Sequence, residues 1–255
     1  MPFILTKATV AKSFVGLVAA SALVGGCAYN ETLGRNQFLL VDNASLTQQA
    51  DQAWADALRT QQVSRDAAAN ARIRRVGDRL VQAAGLTNIR WDYAVFVEAS
   101  PNAFVLPSGK IGVTTGLLAL VQNDDQLAAV IGHEIGHVVA QHAAERYSST
   151  AVTSIGLQAI QGASGDYGQA VGALGGLGAQ LGVLLPFSRR HELEADQLGV
   201  DYMVRAGYRA SESIALWRLM AAQRQTQTPE FASTHPSDAS RIQALERYIQ
   251  SKGYN

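Results

Sequence analysis

A single cysteine in 255 residues, Cys27, excludes an internal disulfide. Charge is scarce too, since Asp, Glu, Lys and Arg make up 16% of the chain against roughly 25% in an average soluble domain. Neither sign is in surplus, because 21 Lys and Arg stand against 21 Asp and Glu. Contact with phosphate needs a basic excess, so no nucleic-acid partner is expected. What remains is ordinary globular material, 47% apolar, and long enough for one sizeable core or a core with a small appendage.

The position of the cysteine carries information. Lys7 and Lys12 precede an uncharged run from Ser13 to Gly26, apolar at its centre, and Leu23-Val24-Gly25-Gly26 leads directly into Cys27. A charged start, a short apolar stretch and small residues at a cleavage point make a secretory signal. The stretch is well short of the ~20 residues that a helix needs to span hydrocarbon. With cysteine next, the segment resembles a bacterial lipoprotein signal. That resemblance implies cleavage before Cys27 and acylation of its sulfur and of the new amino group, anchoring the chain in a membrane. It divides the chain into a signal peptide over 1–26, a lipidated tether over 27–43 and a folded domain over 44–255. Ala28 and Tyr29 follow the cysteine with no Asp between them and it, which by the sorting rules of such lipoproteins favours the outer membrane, facing the periplasm. Loss of Lys7 and Lys12 leaves 19 basic against 21 acidic side chains, a net charge of −2.

Ser45 to Gln61 and Ser64 to Ala84 read as two helices, the second with Ile73, Val76, Leu80 and Val81 at helical spacing and Gly85 as its stop. Trp91–Val97, Ala103–Leu106 and Lys110–Thr114 read as strands of a small antiparallel sheet, the last two joined by a turn at Pro107-Ser108-Gly109. Asn123 to Arg146 is the clearest helix. Asn123 is its expected N-cap, and Asp124, Asp125 and Gln126 suit the first turn. Gly132 and Gly136 inside it each cost about 1 kcal/mol relative to alanine, so a close backbone neighbour is expected there. Residues 147–188 are nearly uncharged and rich in Gly, Ser, Thr and Gln. A membrane hairpin is one reading of them, but such composition inserts poorly, and a segment lining a cleft is favoured. Helices at Arg190–Ala206, Ser211–Arg224 and Ser237–Lys252 complete the chain.

His133-Glu134-Ile135-Gly136-His137 is an H-E-x-x-H motif in the middle of the long helix. Histidines four apart lie one turn apart on one face and can share one ion. Glu134, rotated about 100° from His133, can take a proton beside the metal. A catalytic zinc needs one more protein ligand and an open position. Ala140 and Ala143 exclude the extended three-histidine pattern, and His142, half a turn round from His133, reads as a solvated residue near the helix end. Downstream, Glu192 and Asp196 share a helical face, so Glu192 can ligate while Asp196 orients a ligand histidine through its outer N–H. His191 competes with Glu192, but one turn on it meets only Ala195. Glu194 should point elsewhere.

Several further motifs accompany these residues. Asn102-Ala103-Phe104, Gly109-Lys110-Ile111, Gly116-Leu117-Leu118, Val130 through His137, Phe187-Ser188-Arg189 with Glu192 and Asp196, and Thr234-His235-Pro236 with Arg241 resemble the HtpX/Oma-type gluzincin metallopeptidases. That family includes the CAAX prenyl endopeptidases, and the similarity covers about residues 60 to 250. It implies an α+β, zincin-like fold, mostly helical, with the small sheet beside the active-site helix. It implies one zinc per chain held by His133, His137 and Glu192, with Glu134 as general base. His235 and Arg241 are implied to support the oxyanion, although the histidine matching His235 can instead approach the metal in a closed form. The strand around Asn102, Ala103 and Phe104 is the edge to which an extended substrate would add. Lacking convincing spanning helices beside the motif, the chain is closer to the periplasmic branch. The expected activity is a zinc endopeptidase acting on unfolded or misassembled envelope proteins. A chaperone-like assembly factor on the same fold is the alternative.

Overall fold

In the computed structural model of the chain, residues 27–40, 43–161, 187–223, 231, 234–235 and 239–254 are described. The signal peptide expected over 1–26 and most of the nearly uncharged stretch, 162–186, lie outside them. No helix among the described residues is long and apolar enough to cross a membrane.

The architecture is α+β and mostly helical, as expected. Two strands, β1 (Cys27–Asn30) and β2 (Arg35–Phe38), form an antiparallel hairpin. Helices α1 (Asn43–Thr60) and α2 (Ala67–Ala83) follow. Asp66 caps α2 by accepting the backbone N–H groups of Ala68 and Ala69. Its apolar face, Ile73, Val76, Leu80 and Val81, is buried in the main core, each such side chain worth about 1.5–3 kcal/mol relative to exposure.

Three strands come next, β3 (Asp92–Phe96), β4 (Ala103–Leu106) and β5 (Lys110–Thr114), in the order β3-β5-β4. The sheet is mixed rather than purely antiparallel. β4 returns on β5 through the turn at Gly109, but β3 runs parallel to β5 with Tyr93 opposite Ile111 and Val95 opposite Val113. Placing β5 in the middle buries Ile111 and Val113 completely and leaves β4 as an edge.

After the short helix α3 (Thr115–Leu120), Asn123 caps α4 (Asp124–Val139) by accepting the Gln126 N–H. Every residue from Gln126 to His137 is buried, so α4 is a central helix surrounded by protein, not a surface helix with one apolar stripe. The long helix expected to reach Arg146 breaks at Gln141, the one non-glycine among the described residues with positive φ, at 54°. A new helix, α5 (His142–Gln161), begins just after it. α6 (Arg189–Arg205), capped by Ser188, packs directly on α4, and α7 (Ser211–Gln223) and α8 (Ala239–Lys252) close the core behind them. The close approach expected at the α4 glycines is made by α6, since a Cβ on Gly132 would meet the Gly199 carbonyl oxygen at 3.0 Å.

The segment read as a tether folds onto the domain. Arg35 and Gln37 of β2 reach Glu145, Glu194 and the Ala140 carbonyl oxygen. Its sequence lacks periodicity because its contacts are polar and made by single residues.

Candidate metal centre

Helical spacing on α4 and α6, with the two backbones in contact, turns one face of each helix toward a common point. His133 and His137 present Nε2 there, 3.0 Å apart. Glu192 arrives from α6 with Oε1 3.4 Å from His137 Nε2 and Oε2 3.6 Å from His133 Nε2. His235, in the segment before α8, places Nδ1 3.1 Å from Glu192 Oε1. One donor atom from each of His133, His137, Glu192 and His235 lies within 4.8 Å of the others, and all four residues are buried. Bringing three imidazoles and a carboxylate together in a dry interior is costly unless they share a cation. Glu192 Oε2 is buried against the Arg241 guanidinium, while Oε1 faces the imidazoles of His137 and His235. Two imidazoles and a carboxylate suit zinc, with a further position left for other ligands.

The surroundings hold the donors in place. Asp196 Oδ1 lies 2.9 Å from His133 Nδ1, which keeps the proton on Nδ1 and the lone pair on Nε2. Asp196 also accepts from Arg241 Nε and Nη2 at 2.7 and 2.8 Å. Arg241 Nη1 is 2.5 Å from Glu192 Oε2, and its guanidinium lies over the Trp217 ring at 4.2 Å. Burial works against charge on Glu192, but Arg241 and His235 outweigh it and hold that carboxyl well below the usual range. Burial pushes His137 well below an ordinary imidazole, leaving it neutral and able to ligate.

Glu134 is buried on the cleft side. Burial raises its carboxyl above the usual range despite His235 and His133 nearby. Oε1 makes no hydrogen bond, though His235 Nε2 stands 3.2 Å away, and the carboxylate takes a backbone hydrogen bond from Val105 of β4. The cleft itself, about 390 Å³, runs between α1 (Leu46, Ala50, Ala53) and β4, with Glu134, His137 and His235 at its base. Asn102, Ala103 and Phe104 line it. Phe104 is braced by Trp54 of α1 and by Phe96, at ring distances of 6.2 and 6.0 Å.

Some residues take places that the sequence did not suggest. Arg241 is turned to Glu192 and Asp196, behind the donors, and does not line the cleft; any effect on an oxyanion passes through those carboxylates. His235 sits among the ligand atoms, with Nδ1 3.3 Å from His133 Nε2. His191 is outside the donor set, stacked on His142 at 4.3 Å and 3.2 Å from Glu145. His142, expected to be solvated, is fully buried, with Nδ1 3.0 Å from His137 Nδ1 and Nε2 3.0 Å from Glu194. In an unbroken helix, residues five apart point about 140° away from each other; the turn at Gln141 is what brings these two together. The chain has five histidines, and all five are buried in or beside this centre. That clustering was the available signal for His142 and His191. Cys27 is exposed at the start of β1.

The sequence similarities agree with this arrangement. Residues 67–249 match the model of peptidase family M48. The mitochondrial metalloendopeptidase OMA1 of Schizosaccharomyces pombe is 38% identical over 179 residues, covering 69% of this chain and 52% of that protein. Two Escherichia coli proteins are similar as well. Metalloprotease LoiP is 29% identical over 167 residues, covering 64% of each chain, and metalloprotease YcaL is 28% identical over 161 residues, covering 63% of each. The chain spans about half the length of the yeast OMA1 relatives it matches. With the match running from the first residue of α2 into α8 and enclosing all four donors, the chain belongs to peptidase family M48.

Proposed function

We propose that the chain is a zinc endopeptidase, anchored by acyl groups on Cys27 to the outer membrane and facing the periplasm, which cleaves unfolded or misassembled envelope polypeptides. The observation that carries the proteolytic reading is the position of Glu134. Its unbonded Oε1 is buried at the base of an apolar cleft, directly beside the donor set and hydrogen-bonded to an edge strand. His133, His137 and Glu192 would hold zinc, which supplies Lewis acidity toward a carbonyl and water in the cleft.

The chain's own residues do the rest. β4 offers its open edge to an extended peptide, so the backbone rather than a particular sequence is recognised. Asn102, Ala103 and Phe104 flank that peptide, and the apolar wall from α1 favours segments that a folded protein would hide. Glu134 takes a proton from the attacking water and returns it to the leaving amine. His235 must withdraw from the donor set before substrate enters, and once displaced it can donate to the developing oxyanion. The peptidase reading also rests on similarity to proteins named as metalloproteases. Attachment at Cys27 rests on the signal-like residues before it and on its exposure.

The test is Glu134→Gln in the full chain. Zinc content should stay at one per chain while casein cleavage falls by at least about a thousandfold, the combined scale of losing a base and a proton donor. Casein cleavage retained in that variant would overturn the proposal.

A further inference from the structure

Each ligand histidine presents Nε2 to the donor set, so each Nδ1 must be fixed from outside. His133 has Asp196 for this, and Asp196 has Arg241. His137 has no carboxylate at Nδ1. Its Nδ1 faces His142 Nδ1 at 3.0 Å, and His142 Nε2 faces Glu194 Oε2 at 3.0 Å. Two ring nitrogens in contact share one hydrogen. For His137 to offer a lone pair at Nε2, that hydrogen must be its own, on Nδ1. His142 then accepts on Nδ1 and carries its hydrogen on Nε2, from which it donates to Glu194. The chain of donors runs one way, from His137 to a carboxylate two residues beyond the third ligand.

Glu194 is held in turn. Arg35 donates Nε to Oε1 and Nη2 to Oε2, both at 2.7 Å, and the same guanidinium spans Glu145 with two contacts of 2.8 Å. The Arg35 side chain is 9% exposed. Arg190 also reaches Glu194, at 3.1 Å, but is 64% exposed, so solvent screens it. Glu145 is further tied to Gln37 and His191. Gln37 fixes the same strand to the Ala140 carbonyl oxygen where α4 ends. Arg35 belongs to the hairpin that starts at Cys27, 159 residues away from Glu194 in sequence.

We infer that Arg35 is a positioning residue for the zinc ligand His137, acting through Glu194 and His142, and that the N-terminal hairpin is therefore a working part of the metal centre rather than a spacer. The two ligand histidines are then supported alike, each ending on a carboxylate clamped by an arginine, Asp196 by the buried Arg241 and Glu194 by the part-buried Arg35. The inference rests on the zinc reading.

The experiment uses the full chain in detergent. Zinc dissociation constants from chelator competition, and the absorption spectrum of the cobalt-substituted protein, are measured for wild type and Arg35→Gln, Arg35→Lys, Glu194→Gln and the hairpin control Asn36→Ala. Arg35→Gln and Glu194→Gln should each weaken zinc by about 10–100-fold and shift the cobalt bands. Combining the two should add no more than about twofold, since both cut one chain of contacts. Arg35→Lys keeps the charge but loses the fork, and should fall between. Asn36→Ala should match wild type. If Arg35→Gln fails to fold, the lysine variant and Glu194→Gln decide. Zinc affinity and cobalt spectra unchanged in the Arg35 and Glu194 variants, even with a lowered melting temperature, would overturn the inference and leave the peptidase reading standing. A wild-type chain that takes up no zinc would overturn both.

Discussion

A Cβ on Gly136 of α4 would stand 2.8 Å from the Ala195 carbonyl oxygen of α6. The obstacle is backbone and cannot rotate away. Gly136→Ala should gain about 1 kcal/mol of helix propensity yet lose stability overall, by about 1–3 kcal/mol, as the helices are pushed apart. Since His137 and Asp196 are the next residues on either side, zinc affinity should weaken with it. Urea unfolding gives the first quantity and chelator competition the second; a more stable variant would refute the packing argument.

Asp196 joins His133 to Arg241. In Asp196→Asn, Arg241 loses the carboxylate it contacts twice, at 2% side-chain exposure. Arg241 keeps Glu192, 2.5 Å from Nη1, so the cost should stay below the about 3–5 kcal/mol of a buried charge left with no partner, while loss of a ligand-orienting carboxylate weakens metal binding about 10–100-fold. The melting temperature of the metal-free protein reads the first effect separately from the second.

Zinc should stabilise the fold, because the four buried donors come together only in the folded chain. At one hundred times the dissociation constant the gain is about 2.7 kcal/mol, or roughly 5–10 °C in melting temperature for a chain of this size. A chelator should reverse it, and Glu192→Ala should abolish most of it. Differential scanning calorimetry with and without metal measures both.

Asp124, in the first turn of α4, accepts from Arg72 Nε and Arg75 Nη2 at 2.7 Å each. Burial opposes its charge, but the two arginines outweigh it and lower the carboxyl below its ordinary value. The folded state thus binds the proton less readily than the unfolded chain. The stabilisation is complete above the unfolded carboxyl's pKa, about 3.9, and disappears as pH falls through the lower folded value. With Asp124 about a third exposed, the contribution is about 0.5–1 kcal/mol. Asp124→Asn should therefore shift the urea midpoint at pH 7, and the gap to wild type should shrink below pH 4. A gap that stays constant with pH would assign the effect to something other than charge.

The parts legible in the sequence were those written in local spacing. His133, Glu134 and His137 declare themselves because i,i+4 places two imidazoles on one helical face. Glu192 and Asp196 follow by the same rule, and Asn123 reads as a cap because its side chain must serve Gln126. The parallel pairing of β3 with β5 was not legible, since both strands alternate equally well in either direction. His142 was misread because nothing in Ala140-Gln141 marks a break; no glycine or proline stands there, yet Gln141 adopts positive φ. Arg35 was hidden for the opposite reason, being a single polar residue in a stretch without pattern.

The metal centre and its supports draw on chain segments far apart. His133 and Arg241 lie 108 residues from each other, and Arg35 and Glu194 159. Closing such loops is slow relative to forming α4 alone. During synthesis, H-E-x-x-H therefore emerges as an ordinary helix without its third ligand or either clamping arginine in place. The metal centre is complete only once α8 has docked and the hairpin has folded back. An emerging chain thus carries the motif without the machinery, and its own unfolded segments pass by before there is a site to cut them.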